Sequence, residues 1–131
     1  MAIRVYDFFA GCGGASCGFQ TAGMEIAFAT DCDSQAKRTF QANFPKVNFC
    51  LSDINTLDHN ALREKVKAEQ PNLVLFCGCA PCQPFSTLSK SDIATDKRVG
   101  LISPFARLVE HCHPDFVFTE NVPGSGNHLP F

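Results

Sequence analysis

Tryptophan is absent from this chain of 131 residues, tyrosine occurs once and methionine twice. Aromatic burial must therefore rest on phenylalanine, which occurs 13 times and brings no polar group that a core would have to satisfy. A surplus of charge is also missing. Eleven Lys and Arg against 13 Asp and Glu give a formal net charge of −2. An autonomous nucleic-acid binder carries a basic face. If this chain meets DNA or RNA, a local patch or further polypeptide must supply most of the phosphate contact. No apolar run approaches the ~20 residues that a membrane helix needs. The opening MAIRVYDFFAG has neither the long apolar core nor the A-x-A site of a secretory signal. The eight cysteines are accordingly expected to be reduced intracellular thiols rather than four disulfides. Several of them lie in apolar runs, where a thiol behaves as a small hydrophobe. What is present in quantity is apolar surface. Hydrophobic residues make up 45% of the chain, which excludes disorder and suits one domain, 1–131.

Apolar runs alternate with helical stripes. Ile3 to Phe9 reads as a strand ending at AGCGG, and Met24 to Thr30 as a second ending at Asp31. Ser34 is the expected N-cap of a helix whose Ala36, Phe40 and Phe44 recur every four residues until Pro45 stops it. Val47 to Leu51 is a third strand, and a helix from about Asp58 to Glu69 carries Leu62 and Val66 on one face. Two later segments echo each other: PNLVLF runs into Cys77, and PDFVFT runs into Glu120. Both are almost continuously apolar, as in a parallel strand buried on both faces. Between them Phe105, Leu108, Val109 and Cys112 have helical spacing, with Ser103-Pro104 as the expected helix start. Lys90 to Arg98 is polar and reads as a loop. The pattern predicts an α/β fold with a doubly wound, mostly parallel sheet.

In such a sheet, ligands bind beyond the carboxyl ends of the strands, and every unusual residue falls there. Gly11, Gly13 and Gly14, with Cys12 among them, follow the first strand. They allow a tight turn and close backbone approach to a ligand. The dinucleotide pattern G-x-G-x-x-G fails at Ser16, which leaves room for another adenosine-containing ligand or for a plain turn. Asp31, 20 residues after Gly11, suits ribose hydroxyls or an ordinary helix cap. Asp53 suits an adenine amino group, with Ile54 packing on the ring, or a turn.

The stretch CGCAPCQPFS allows three chemistries. Cys79-x-x-Cys82 with His111, Cys112 and His113 would make a zinc site, but strand alternation puts Cys77 and Cys79 together on one face inside an apolar run. A redox pair Cys79/Cys82 would need a helix after Cys82, and none is patterned there. A single nucleophile fits better. Pro81 and Pro84 stiffen the chain on either side of Cys82, and Glu120 at the neighbouring strand end is a candidate acid partner.

These residues together resemble the DNA (cytosine-5) methyltransferases. DFFAGCGGASCGF resembles their first motif, GCAPCQPFS their Pro-Cys-Gln motif and TENV their Glu-Asn-Val motif. DKRVGLISPFARLV is similar to the segment between the last two. The resemblance implies a Rossmann-like fold that binds S-adenosylmethionine. Cofactor contacts would come from Phe9, Gly11, Cys12, Gly13, Gly14, Asp31, Cys32, Asp53, Ile54, Pro81 and Leu101. It also implies a cytosine flipped out of DNA, a Cys82 thiolate adding to carbon 6, and Glu120 at ring nitrogen 3, with no metal. The family has a bulky ring where this chain has Cys32, so adenine stacking is expected to be weaker. The family's Arg-rich motif, target recognition domain and final cofactor motif have no counterpart here. A complementary subunit carrying that domain is therefore an expected partner. Lys90, Lys97, Arg98 and Arg107 are the available phosphate contacts. The same chemistry on tRNA, and a binding module without chemistry, are the alternative readings.

Overall fold

The computed structural model describes residues 1–81 and 100–120. Five strands form one parallel sheet: β1 (Ile3–Phe8), β2 (Glu25–Asp31), β3 (Asn48–Leu51), β4 (Leu73–Gly78) and β5 (Phe116–Phe118). Their order is β3-β2-β1-β4-β5. The chain winds outward from β1 to β3, crosses back to β4 beside β1, and continues outward to β5. The reversal between β1 and β4 is the topological switch point, where an open α/β sheet leaves a crevice. The expected doubly wound fold is what the chain adopts.

Among the described residues, four helices cover the sheet: α1 (Gly14–Thr21), α2 (Ser34–Asn43), α3 (His59–Ala68) and α4 (Ile102–Cys112). Alternation along β1 sorts the layers. Val5 is buried with Leu75 and Cys77 against Ala15 and Phe19 of α1. Tyr6 and Phe8 point the other way, into a core shared with Leu62, Val66, Phe105 and Leu108 of α3 and α4. Phenylalanine carries that core, as the absence of tryptophan requires. The fully buried Phe8 ring lies 4.9 Å from Phe76 and 5.6 Å from Phe105, centroid to centroid. Under α2 the expected stripe is realised, with the Phe40 ring tilted against Phe44 at 4.8 Å and against Phe49 at 5.0 Å.

Two helix starts differ from expectation. Asp33, not Ser34, caps α2: its carboxylate accepts from the backbone N–H of Gln35 at 2.7 Å and of Ala36 at 3.3 Å. A carboxylate also suits the positive helix end better than a hydroxyl. Likewise α4 begins one residue before Ser103, with Leu101 in helical geometry ahead of it. Ser103 and Pro104 therefore sit inside the first turn, where the missing proline N–H costs nothing. The Lys90–Arg98 segment expected as a loop lies outside the described residues.

Candidate active site

The crevice at the switch point opens into a cavity of about 460 Å³ lined by Phe9, Gly11, Thr30, Asp31, Cys32, Asp33, Ser52, Asp53, Ile54, Cys79, Pro81 and Leu101. That volume suits a nucleoside-sized ligand. The lining comes from the carboxyl ends of β1 to β4 and from the start of α4. Eight residues expected to contact a cofactor line it: Phe9, Gly11, Asp31, Cys32, Asp53, Ile54, Pro81 and Leu101. Cys12, Gly13 and Gly14 stand beside the cavity and do not line it.

Local geometry explains the glycine-rich turn. Phe9 leaves β1 with φ of 60°, followed by Gly11 at 53° and Gly13 at 97°. Three left-handed residues in five reverse the chain between strand and helix. Only the glycines adopt that geometry without Cβ strain. Phe9 adopts it with strain, as functional sites often do, and the result turns its ring towards the cavity. Gly13 has a second constraint, because a Cβ there would lie 2.7 Å from the Phe44 ring.

Asp31 ties the rim together. One carboxylate oxygen accepts from Gly11 N–H and the other from Asp33 N–H, both at 2.9 Å. Each oxygen keeps a further lone pair for a ligand hydroxyl. Asp53 caps the 3₁₀ turn Ile54–Thr56, accepting through Oδ1 from the backbone and side-chain N–H groups of Asn55 at 2.8 and 2.9 Å. With Asp33, three carboxylates share one rim, while Phe9, Ile54, Pro81 and Leu101 give apolar walls. Partial burial and the nearby Asp31 charge push the Cys32 thiol up.

At the other side of the crevice, β4 and β5 pair in register, Cys77 opposite Phe118. Two residues further on, Glu120 ends the described segment near Cys79, whose thiol its backbone N–H helps to pull down. Its side chain is exposed. Cys82 lies outside the described residues, three positions beyond Cys79, as do Lys90, Lys97 and Arg98; Arg107 is exposed on α4. Cys77 and Cys79 do share a face, their sulfurs 3.7 Å apart. Among the described residues no group of three or more His, Cys, Asp or Glu is arranged to hold a metal ion. No described helix is long and apolar enough to cross a membrane.

Residue-level reading missed Thr30, Ser52, Asp33 and Cys79 in the lining, and Asp7 behind it. Asp7 was visible as the one carboxylate inside β1, on the face of Val5.

A family model for C-5 cytosine-specific DNA methylases matches residues 3–128. The chain belongs to that family. Among methylase relatives, the Type II methyltransferase M.DdeI of Desulfomicrobium norvegicum is 37% identical over 122 residues, which is 93% of this chain and 28% of that protein. The Type II methyltransferase M.HgiGI of Herpetosiphon aurantiacus is 37% identical over 123 residues, 92% of this chain and 90% of that protein. A solved E. coli protein, described as a prophage-encoded DNA modification methyltransferase, superposes with a TM-score of 0.73 at 32% identity. That match covers 94% of this chain and 33% of the solved one.

Proposed function

We propose that this chain carries the cofactor site and catalytic residues for methyl transfer from S-adenosylmethionine to carbon 5 of cytosine in DNA. The observation that carries the reading is the cavity itself, where eight expected cofactor residues from distant parts of the chain meet. Its chemistry suits the cofactor. Asp31 offers lone pairs to ribose hydroxyls, and Asp53 offers them to an adenine amino group. Phe9, Ile54 and Leu101 provide apolar faces for a ring, and three carboxylates favour a cationic sulfonium. When bound, the cofactor supplies the transferable methyl group. Gly11, Cys12, Gly13 and Gly14 would hold its methionine end. Cys32, lacking a ring, contributes contact without stacking.

The protein's own part in the reaction is nucleophilic. The Cys82 thiolate adds to carbon 6 of a cytosine turned out of the duplex, which makes carbon 5 electron-rich. Glu120 donates to ring nitrogen 3 and keeps negative charge from building there. After methylation the carbon 5 proton leaves, the carbon–sulfur bond breaks and the thiolate returns. Substrate choice and most phosphate contacts are proposed to need a target-recognition polypeptide beyond these residues. Phe116, Val117 and Phe118 on β5 are each over 40% exposed, giving such a partner an apolar edge to cover.

The test is covalent trapping. With S-adenosylmethionine and such a partner, the chain should form a denaturant-stable adduct with 5-fluorocytosine DNA that maps to Cys82 and disappears in Cys82→Ser. Cofactor binding without any adduct would instead favour a binding module. An adduct with tRNA alone would move the substrate to RNA.

A further inference from the structure

Behind the cavity wall stands a row of side chains that cytosine methylation does not use. Asp7 and Cys77 are register partners on β1 and β4, so both side chains leave the sheet on the α1 face. Both are buried, at 1% and 0% exposure. The Ser16 hydroxyl of α1 donates to Asp7 Oδ2 at 2.6 Å. Cys79, two residues after Cys77, emerges on the same face with its sulfur 3.7 Å away, and it lines the cavity. The row therefore runs carboxylate, thiol, thiol, from the sheet interior to the open wall.

The three groups are graded in acidity. The bond to Cys79, burial and the Asp7 charge push the Cys77 thiol up. The bond donated by Cys77 and the Glu120 backbone N–H pull the Cys79 thiol down. Cys79 is therefore the nucleophile that a small oxidant meets first, since the thiolate is the reactive form. Cys77, protonated and within reach, is built to resolve it.

We propose that Cys77 and Cys79 form a peroxide-responsive dithiol that closes to a disulfide in the wall of the cavity. The Cys79 thiolate attacks one oxygen of a hydroperoxide. The O–O bond breaks, Cys79 becomes a sulfenic acid, and the second oxygen leaves and takes up a proton. Cys77 then passes its proton to the Asp7 carboxylate and attacks the Cys79 sulfur. The S–O bond breaks, and the departing oxygen takes the proton from Asp7 and leaves as water. With hydrogen peroxide the sum is two thiols and one peroxide giving one disulfide and two waters. Closure brings the sulfurs to about 2.05 Å. Gly78 between them has no side chain to restrict the backbone, and Cys79 already lies past the last residue of β4. The spacing of the two sulfurs is set by β4 and does not rest on the proposed cofactor.

The experiment uses the full chain, treated with hydrogen peroxide, unfolded, alkylated with iodoacetamide and cut with trypsin. Cleavage after Lys67 and Lys90 leaves Cys77, Cys79 and Cys82 in one peptide. The expected peptide is two hydrogens short, carries its single alkyl group on Cys82, and accepts three after reduction. Asp7→Asn should slow closure at least about tenfold, as loss of a proton acceptor does, while Cys79 sulfenic acid still forms and is captured by dimedone. A disulfide joining Cys79 to Cys82 with Cys77 alkylated would overturn the proposal. So would three alkylated cysteines under peroxide that oxidises a free-thiol control, or closure of Asp7→Asn at the unaltered rate.

Discussion

Asp7 is a carboxylate held at 1% exposure in the middle of an apolar strand. Burial pushes it up from 3.8 to about 6, and the bond from Ser16 only partly opposes that shift. The raised value fixes the sign of its effect on stability. Well below pH 3.8 the group is neutral in both folded and unfolded chains and costs nothing. Between 3.8 and about 6 the folded state holds more protons than the unfolded one, so this group makes stability fall as pH rises. Above that window the cost is complete, at about 3 kcal/mol. Asp7→Asn keeps the shape and a partner for Ser16 but cannot ionise. Its stability relative to the unaltered chain should therefore rise by up to that amount from pH 4 to pH 7, read from urea midpoints. Equal midpoint differences at both pH values would contradict the assignment. Asp31 was legible by its spacing from Gly11. The two hydrogen bonds it accepts from the Gly11 and Asp33 backbones were not, because they depend on three loop positions meeting.

Among the elements, β4 and α4 show how tightly the sheet is covered. Gly78 closes β4 beneath the buried Phe105 ring of α4, and a Cβ there would lie 2.4 Å from two ring carbons. That ring is itself held by Phe8, so it cannot step aside. Gly78→Ala should destabilise the chain by about 1–3 kcal/mol through overpacking, measured by urea unfolding. Gly11→Ala meets no atom within 4 Å, and its cost should come from the left-handed backbone alone. If Gly78→Ala unfolds at the same urea concentration as the unaltered chain, the tight approach is wrong. The strands and α3 were readable to within a residue or two, because continuous apolar runs and a four-residue period report burial directly. Both cap assignments shifted by a residue or two. Several adjacent polar residues can cap a helix, and only the backbone path selects one.

At the scale of the whole molecule, the proposed function divides cofactor binding from DNA recognition. The cavity draws on β1 to β4 and α4, all within the described residues, whereas the net charge of −2 gives no general attraction to phosphate. The purified chain alone should bind S-adenosylhomocysteine at one site per chain by calorimetry, yet leave duplex DNA without site-specific methylation. Robust sequence-specific methylation by these 131 residues would refute the division. Arg4 offers no DNA contact at the site. It is bound to Glu25 and Glu69 at the amino ends of the strands, away from the cavity.

By itself the sequence determined the fold class, the order of the strands along the chain, and the family. Those rest on local periodicity and on ordered motifs, which a linear string preserves. Only the tertiary structure decided that β4 returns to lie beside β1. That single crossover opens the crevice, sets Asp7 against Cys77, and turns Cys79 into a wall of the cavity. Pairing in a parallel sheet joins residues about 70 positions apart, such as Ile3 and Leu73. No local pattern encodes such a meeting, because burying both faces of the central strands selects it for the chain as a whole.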